Sequence, residues 1–79
     1  MWYVYFLELN NKKIYTGSTN DLKRRIQSHP NGEVVSTKLF RPIKLKSYIA
    51  VETESHARKL ELYFKSGSGK ALAKIRLLQ

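Results

Sequence analysis

The chain opens on six consecutive apolar or aromatic residues, Trp2-Tyr3-Val4-Tyr5-Phe6-Leu7, meets Asn10-Asn11, and resumes at Lys13-Ile14-Tyr15-Thr16. Aromatic and β-branched residues in so short a run suit a strand. The asparagine pair is a turn signal, so the pattern predicts a hairpin. On its first strand Tyr3, Tyr5 and Leu7 share one face, and Trp2, Val4 and Phe6 share the other. Gly17 is expected to end the return strand, where the backbone needs positive φ or a close approach. Ser18-Thr19-Asn20-Asp21 then offers several N-cap candidates and a first-turn acid for a helix reaching about His29, stopped by Pro30 and Gly32. Residues 30–41 read as a loop, and a third strand falls within Pro42 to Val51, clearest from Leu45. Thr53 can cap a second helix from Glu54 to about Lys65. Ser66-Gly67-Ser68-Gly69 reads as a break, and Lys70 to Leu78 as a short final helix with Leu72, Ile75 and Leu78 on one face. The order β-β-α-β-α-α predicts an α+β fold: a small three-stranded, mostly antiparallel sheet flanked by helices. No repeat or linker divides residues 1–79, which are expected to form one domain.

Composition narrows the partner. Fifteen Lys and Arg against six Asp and Glu give a net charge of +9, which in a small domain favours an anionic partner, nucleic acid before an anionic membrane. There is no cysteine, so disulfides and thiolate metal sites are excluded and a cytoplasmic location is expected. Trp2 to Leu7 lacks a basic leader and is too short for a secretory signal, and no apolar run approaches the roughly 18 residues that span a bilayer. A soluble chain is expected, as a monomer or weak homo-oligomer.

Two helical stripes carry residues that do not belong on them. Leu22, Arg25, Ile26 and His29 are spaced i, i+3, i+4, i+7 and share one face. Ala57, Leu60, Glu61 and Phe64 repeat the spacing, with Glu61 the one carboxylate among apolar neighbours. A charge on such a stripe costs free energy unless it has a partner. From the spacing alone, Arg25 can equally be a rim residue whose stem packs while its head reaches water, and Glu61 an edge glutamate or half of a structural pair. Glu61 also suits a metal ligand held on a rigid helix. Glu54 at a helix start and Asp21 in a first turn are accounted for by the helix dipole. Gly67-Ser68-Gly69-Lys70 is not a phosphate loop, because Phe64 stands where the first glycine belongs and Ala71 where Ser or Thr belongs. His29 and His56 are not at zinc-helix spacing.

Taken together, Tyr3-Val4-Tyr5, Tyr15-Thr16-Gly17, the run Ser18 to Arg25, His29, and the segment Ala57 to Lys65 with Glu61 resemble the GIY-YIG endonuclease superfamily. The resemblance covers nearly the whole chain. It is to the stand-alone, single-domain branch related to the N-terminal nuclease domain of the bacterial excision-repair incision subunit. Tyr5 and Tyr15 lie ten residues apart, Gly17 and Arg25 eight, and Arg25 and His29 four. Each tripeptide alone is weak, but all of them in order are specific. The chain departs from the pattern at Tyr3 for the first glycine and Thr16 for the middle isoleucine, and Lys70 to Leu78 offers no equivalent of the polar residue, often asparagine, that follows the glutamate helix in the repair branch.

The resemblance implies roles by position. Tyr5 and Tyr15 are the motif tyrosines, one of them acting as general base or positioning the attacking water. Gly17 lets the backbone turn close to the site. Arg25 would hold the scissile phosphate, His29 would assist with a proton or a phosphate contact, and Glu61 would be the sole carboxylate ligand of a single Mg²⁺ or Mn²⁺ ion. The implied activity is a divalent-metal-dependent endonuclease on DNA, structure-selective or non-specific, with a role in repair or recombination; RNA is also compatible. Lys23, Arg24, Lys38, Arg41, Lys44 and Lys46 are the expected backbone contacts. The alternative is a nucleic-acid-binding module of the same fold with little or no cleavage.

Overall fold

A computed structural model describes residues 1–28 and 40–76. Its elements are β1 (Trp2–Glu8), β2 (Ile14–Thr19), α1 (Leu22–Ser28), β3 (Lys44–Val51), α2 (Glu54–Lys65) and α3 (Gly67–Arg76). The strands form one sheet in the order β2-β1-β3 with both pairings antiparallel. The expected α+β class, element order and three-stranded sheet are those observed.

The hairpin closes through Leu9 and Lys13, with Lys12 at φ 68° and the Asn11 side chain accepting from the Lys13 N–H. Its register pairs Tyr5 with Gly17 and Leu7 with Tyr15. The return strand does not stop at Gly17; it continues to Thr19. Gly17 is needed for proximity, because a Cβ there would lie 2.5 Å from Tyr5 Oη. The Tyr5 ring therefore lies across β2 where a side chain is missing.

The two faces of the sheet have different fates. Val4 and Phe6 pack with Val51, Ala57, Phe64 and Ala73 to form the core under α2 and α3, and Phe6 meets Phe64 edge to face at 5.1 Å. Tyr3, Tyr5 and Leu7 point to the opposite face, where Tyr3 borders a cleft shared with α1. Thr53 caps α2 by accepting from the His56 N–H, as expected. Asp21 precedes α1 and caps it, accepting from the Arg24 N–H at 3.2 Å, so its charge serves the cap rather than the first turn. The expected α1 end at His29 and the loop over 30–41 fall largely outside the described residues.

The last helix departs most from the sequence reading. Ser66-Gly67-Ser68-Gly69 is not a break: Ser66 closes α2, and its hydroxyl accepts from the Gly69 N–H, so α3 begins at Gly67. The buried positions of α3 are Gly69 and Ala73, whereas Leu72 and Ile75 are exposed and Leu78 lies outside the described residues. The two helices cross so closely that small residues, not large ones, make the contact. A Cβ on Gly69 would collide with the Tyr63 carbonyl, a backbone atom that cannot move aside. Gly69→Ala should therefore destabilise the fold by about 1–3 kcal/mol, as overpacking does, read as a lower midpoint in urea or thermal denaturation.

Candidate active site

The site gathers around β2, one of the two edge strands, and draws on both faces of the sheet. From one side Tyr5 reaches over Gly17, with Tyr15 beside it at 6.3 Å between ring centroids. Tyr5 is 2% exposed and Tyr15 half-buried. From the other side α2 presents Glu61, whose Oε1 accepts a 2.6 Å hydrogen bond from the Ser18 hydroxyl on β2. Ser18 pairs with Val4 and so faces α2; it is a strand residue, not the helix cap its neighbours suggested. The charges of Arg25 and Glu61 both act on the Tyr5 phenol, so α1 and α2 bring opposite charges to within electrostatic reach of one hydroxyl.

The environment assigns protonation states. Burial, first of all, pushes the Tyr5 phenol well above its ordinary value; the charge of Tyr15, Glu61 and a hydrogen bond with Tyr15 add to this, and Arg25 partly opposes it. A bond that raises an acid's pKa stabilises its protonated form, so the contact with Tyr15 helps Tyr5 keep its proton. Tyr5 is a neutral donor at any physiological pH. For Glu61, burial pushes the carboxyl up, but hydrogen bonds from Lys65 and Ser18 and the charges of Lys65 and Arg58 outweigh it, leaving it below its ordinary 4.5. A depressed carboxyl contributes stability above its unfolded pKa, and that contribution is lost as pH falls through the lower folded value.

Lys65 Nζ lies 2.7 Å from Glu61 Oε2. Both carboxylate oxygens thus have a partner, Ser18 on one and Lys65 on the other. Among the described residues the other ion pair is Arg58 with Glu54, on the exposed side of α2, and Arg25 belongs to neither. Among those residues no group of three or more His, Cys, Asp or Glu gathers. A single ionised carboxylate on a rigid helix fits Mg²⁺, which takes one or two carboxylates and keeps several waters. The ammonium of Lys65 already shows that the Oε2 side accommodates a cation.

Of the residues singled out from sequence, Tyr5, Tyr15, Gly17, Arg25 and Glu61 converge here. His29 and Lys38 lie outside the described residues. Lys23 and Arg24 are exposed on α1, and Arg41 and Lys44 are exposed near the start of β3. Lys46 is half-buried, the extra residue where the β1–β3 register shifts between Phe6 and Leu7. Sequence reasoning did not assign site roles to Ser18 and Lys65. Lys65 was detectable, four residues after Glu61 on the same helix face; Ser18 is 43 residues away and was not.

The chain is similar to known proteins over most of its length. Residues 1–75 match the model of the GIY-YIG catalytic domain. A UPF0213 protein of Cupriavidus necator is 37% identical over 65 residues, covering 81% of this chain and 71% of that protein. One from Clostridium perfringens is 38% identical over 66 residues, covering 82% and 71%. The solution NMR structure of the UPF0213 protein BH0048 from Bacillus halodurans superposes with a TM-score of 0.60 at 32% identity, covering 96% of this chain and 86% of that one. Among the described residues no helix is long and apolar enough to cross a membrane.

Proposed function

We propose, from the premise that this chain belongs to the GIY-YIG catalytic-domain family, that it is a divalent-metal-dependent endonuclease hydrolysing phosphodiester bonds in DNA. The observation that carries the reading is the convergence on β2 of a buried neutral phenol, a second phenol bonded to it, an arginine outside the described ion pairs and one ionised carboxylate.

Each group has a part. The Arg25 guanidinium holds the scissile phosphate and offsets the charge that grows on it as water attacks. Tyr5, held neutral by burial, keeps its proton beside Tyr15. Tyr15, half-exposed beside Tyr5, would act as the general base in its phenolate form, taking the proton of the attacking water after its own proton has passed to solvent. Glu61 would hold the divalent ion, with Ser18 fixing the direction of its carboxylate. Such an ion supplies Lewis-acid stabilisation of the phosphoryl oxygens when bound. Lys23, Arg24, Arg41 and Lys44 meet flanking phosphates, which positions the strand without reading sequence.

Incubation of the purified chain with supercoiled plasmid and with a branched duplex tests the activity, with Mg²⁺ or Mn²⁺ against EDTA. Metal-dependent nicking is the expected result, with binding that weakens steeply as salt rises. Within that assay Tyr15→Phe should lower the rate by about 100-fold or more, the usual worth of a positioned proton acceptor. Tyr5→Phe should lower it less. Equal losses would remove the division of roles.

One observation favours the second reading, a binding module with little cleavage. Lys65 and Ser18 together occupy both Glu61 oxygens, so a metal must share or displace a partner. Salt-sensitive DNA binding with no metal-dependent nicking of either substrate would select that reading.

A further inference from the structure

On the side of Tyr5 away from Gly17, the sheet face carries a cleft that the chemistry above does not use. Tyr48 sits directly opposite Tyr5 across the β1–β3 ladder, and its side chain is 52% exposed. Tyr3 meets it edge to face at 6.0 Å and 69°. The pair lines an open cleft of about 610 Å³ with Asn20, Asp21, Leu22, Lys23, Ile26 and Gln27 from the start and body of α1. A single exposed tyrosine on a strand needs no explanation. This one is paired, stands on the face opposite the core cluster, and is rimmed by two amides, an ammonium and the Asp21 carboxylate, which is taken up in capping α1.

The arrangement has the parts of a base-stacking platform. An edge-to-face pair leaves a ring face available for a flat partner, and every nucleobase has one. The Asn20 and Gln27 amides each offer a donor and an acceptor to a base edge, Lys23 a charge to a phosphate, and Ile26 an apolar wall. Location supplies the rest. α1 carries Arg25 toward Tyr5 and Lys23, Ile26 and Gln27 toward the cleft. Strands lie about 4.8 Å apart, so β2 and β3 differ by roughly 10 Å, about three B-form nucleotides of one strand at 3.4 Å each. The net charge of +9 makes an anionic strand the complementary occupant.

We infer that the Tyr3–Tyr48 cleft stacks an unpaired nucleobase a few nucleotides from the phosphate held by Arg25, so that the preferred substrate is DNA with an unpaired segment beside the scissile bond. The inference rests on the endonuclease reading for the position of that phosphate. A base inside an intact duplex is stacked on its neighbours and cannot enter the cleft. An unpaired base can, and it brings the flanking backbone to Lys23.

Binding is measured by fluorescence anisotropy in EDTA, so that cleavage does not interfere, with three labelled DNAs of equal length: fully paired, with a short unpaired segment, and with abasic sites in that segment. The wild-type chain should prefer the unpaired segment to the paired duplex by about 5- to 100-fold, the range expected of stacking one base. Abasic sites should remove that preference. Tyr48→Ala should abolish it while leaving the paired duplex bound as before, and Tyr48→Phe should restore it; circular dichroism checks that each variant is folded. Equal affinity of the wild type for unpaired and abasic DNA overturns the inference, as does a Tyr48→Ala chain that still prefers the unpaired base. Nicking with Mg²⁺ is read separately. Base-dependent binding without nicking would keep the cleft and remove the endonuclease reading, and nicking with no effect of Tyr48 on binding would do the reverse.

Discussion

Glu61→Gln should abolish metal-dependent nicking, by about 100- to 1000-fold, the usual loss when a principal electrostatic contact to the reacting phosphate disappears. The substitution keeps the shape of the side chain and an oxygen for the Ser18 hydroxyl, so the bond that orients it survives. Lys65, half exposed, returns to water, and an exposed pair of this kind is worth about 0–1 kcal/mol. Thermal stability should therefore hardly move, which separates lost chemistry from lost folding. Lys65→Met should act with the opposite sign on the metal. It removes the cation that bonds Oε2, so Mn²⁺ should bind more tightly in calorimetric titration, while Glu61→Gln should bind it least. If neither substitution moves Mn²⁺ affinity, the metal is not held at Glu61. The sign of the pH effect follows from the depressed carboxyl. Glu61 is ionised above that lowered value, so metal binding should persist through neutral pH and fall only as pH drops below the ordinary carboxylate range.

Much of this architecture was legible because its signals are local. Thr53 capping a helix from Glu54 to Lys65 needs only neighbouring residues, and the hairpin needs only alternation and an asparagine pair. Glu61 was legible for a different reason: a lone carboxylate on an apolar stripe is a conflict that some partner must resolve. What could not be read was the identity of that partner. Ser18 looked like a helix cap because it sits among polar residues, and only the register of β2 against β1 turns it toward α2. A one-residue shift in register would turn it away. The same register puts Gly17 under the Tyr5 ring, so the glycine serves proximity rather than a turn. The buried face of α3 is not legible from large apolar residues, the ordinary packing signal, because the short connection through Ser66 brings the helix backbones together and leaves room for Gly69 and Ala73. Tyr48 carried no signal beyond strand alternation; its place opposite Tyr5 is a property of the sheet.

Arg25→Ala should cost nearly as much as the loss of Glu61 in turnover and much less in binding, a split that a merely structural arginine would not produce. Arg25 is exposed on α1 and lies outside the ion pairs of the described residues, so among those residues its removal breaks no pair and creates no buried orphan. Stability should stay within about 0.5 kcal/mol, as for other surface substitutions. The chain keeps fourteen other Lys and Arg of its fifteen, so affinity for duplex DNA should fall only modestly. The salt dependence should lose about one unit of slope, the share of one phosphate contact. Turnover should fall by about 100-fold or more if Arg25 has the proposed role, because the charge on the phosphate is larger in the transition state than in bound substrate. Arg25→Lys provides the finer test. Lysine restores the charge but not the planar two-pronged geometry that matches a phosphate, so it should recover the salt slope fully and the rate only in part. A lysine variant as fast as the wild type would mean that Arg25 acts as a point charge on a bound strand and does not hold the scissile phosphate.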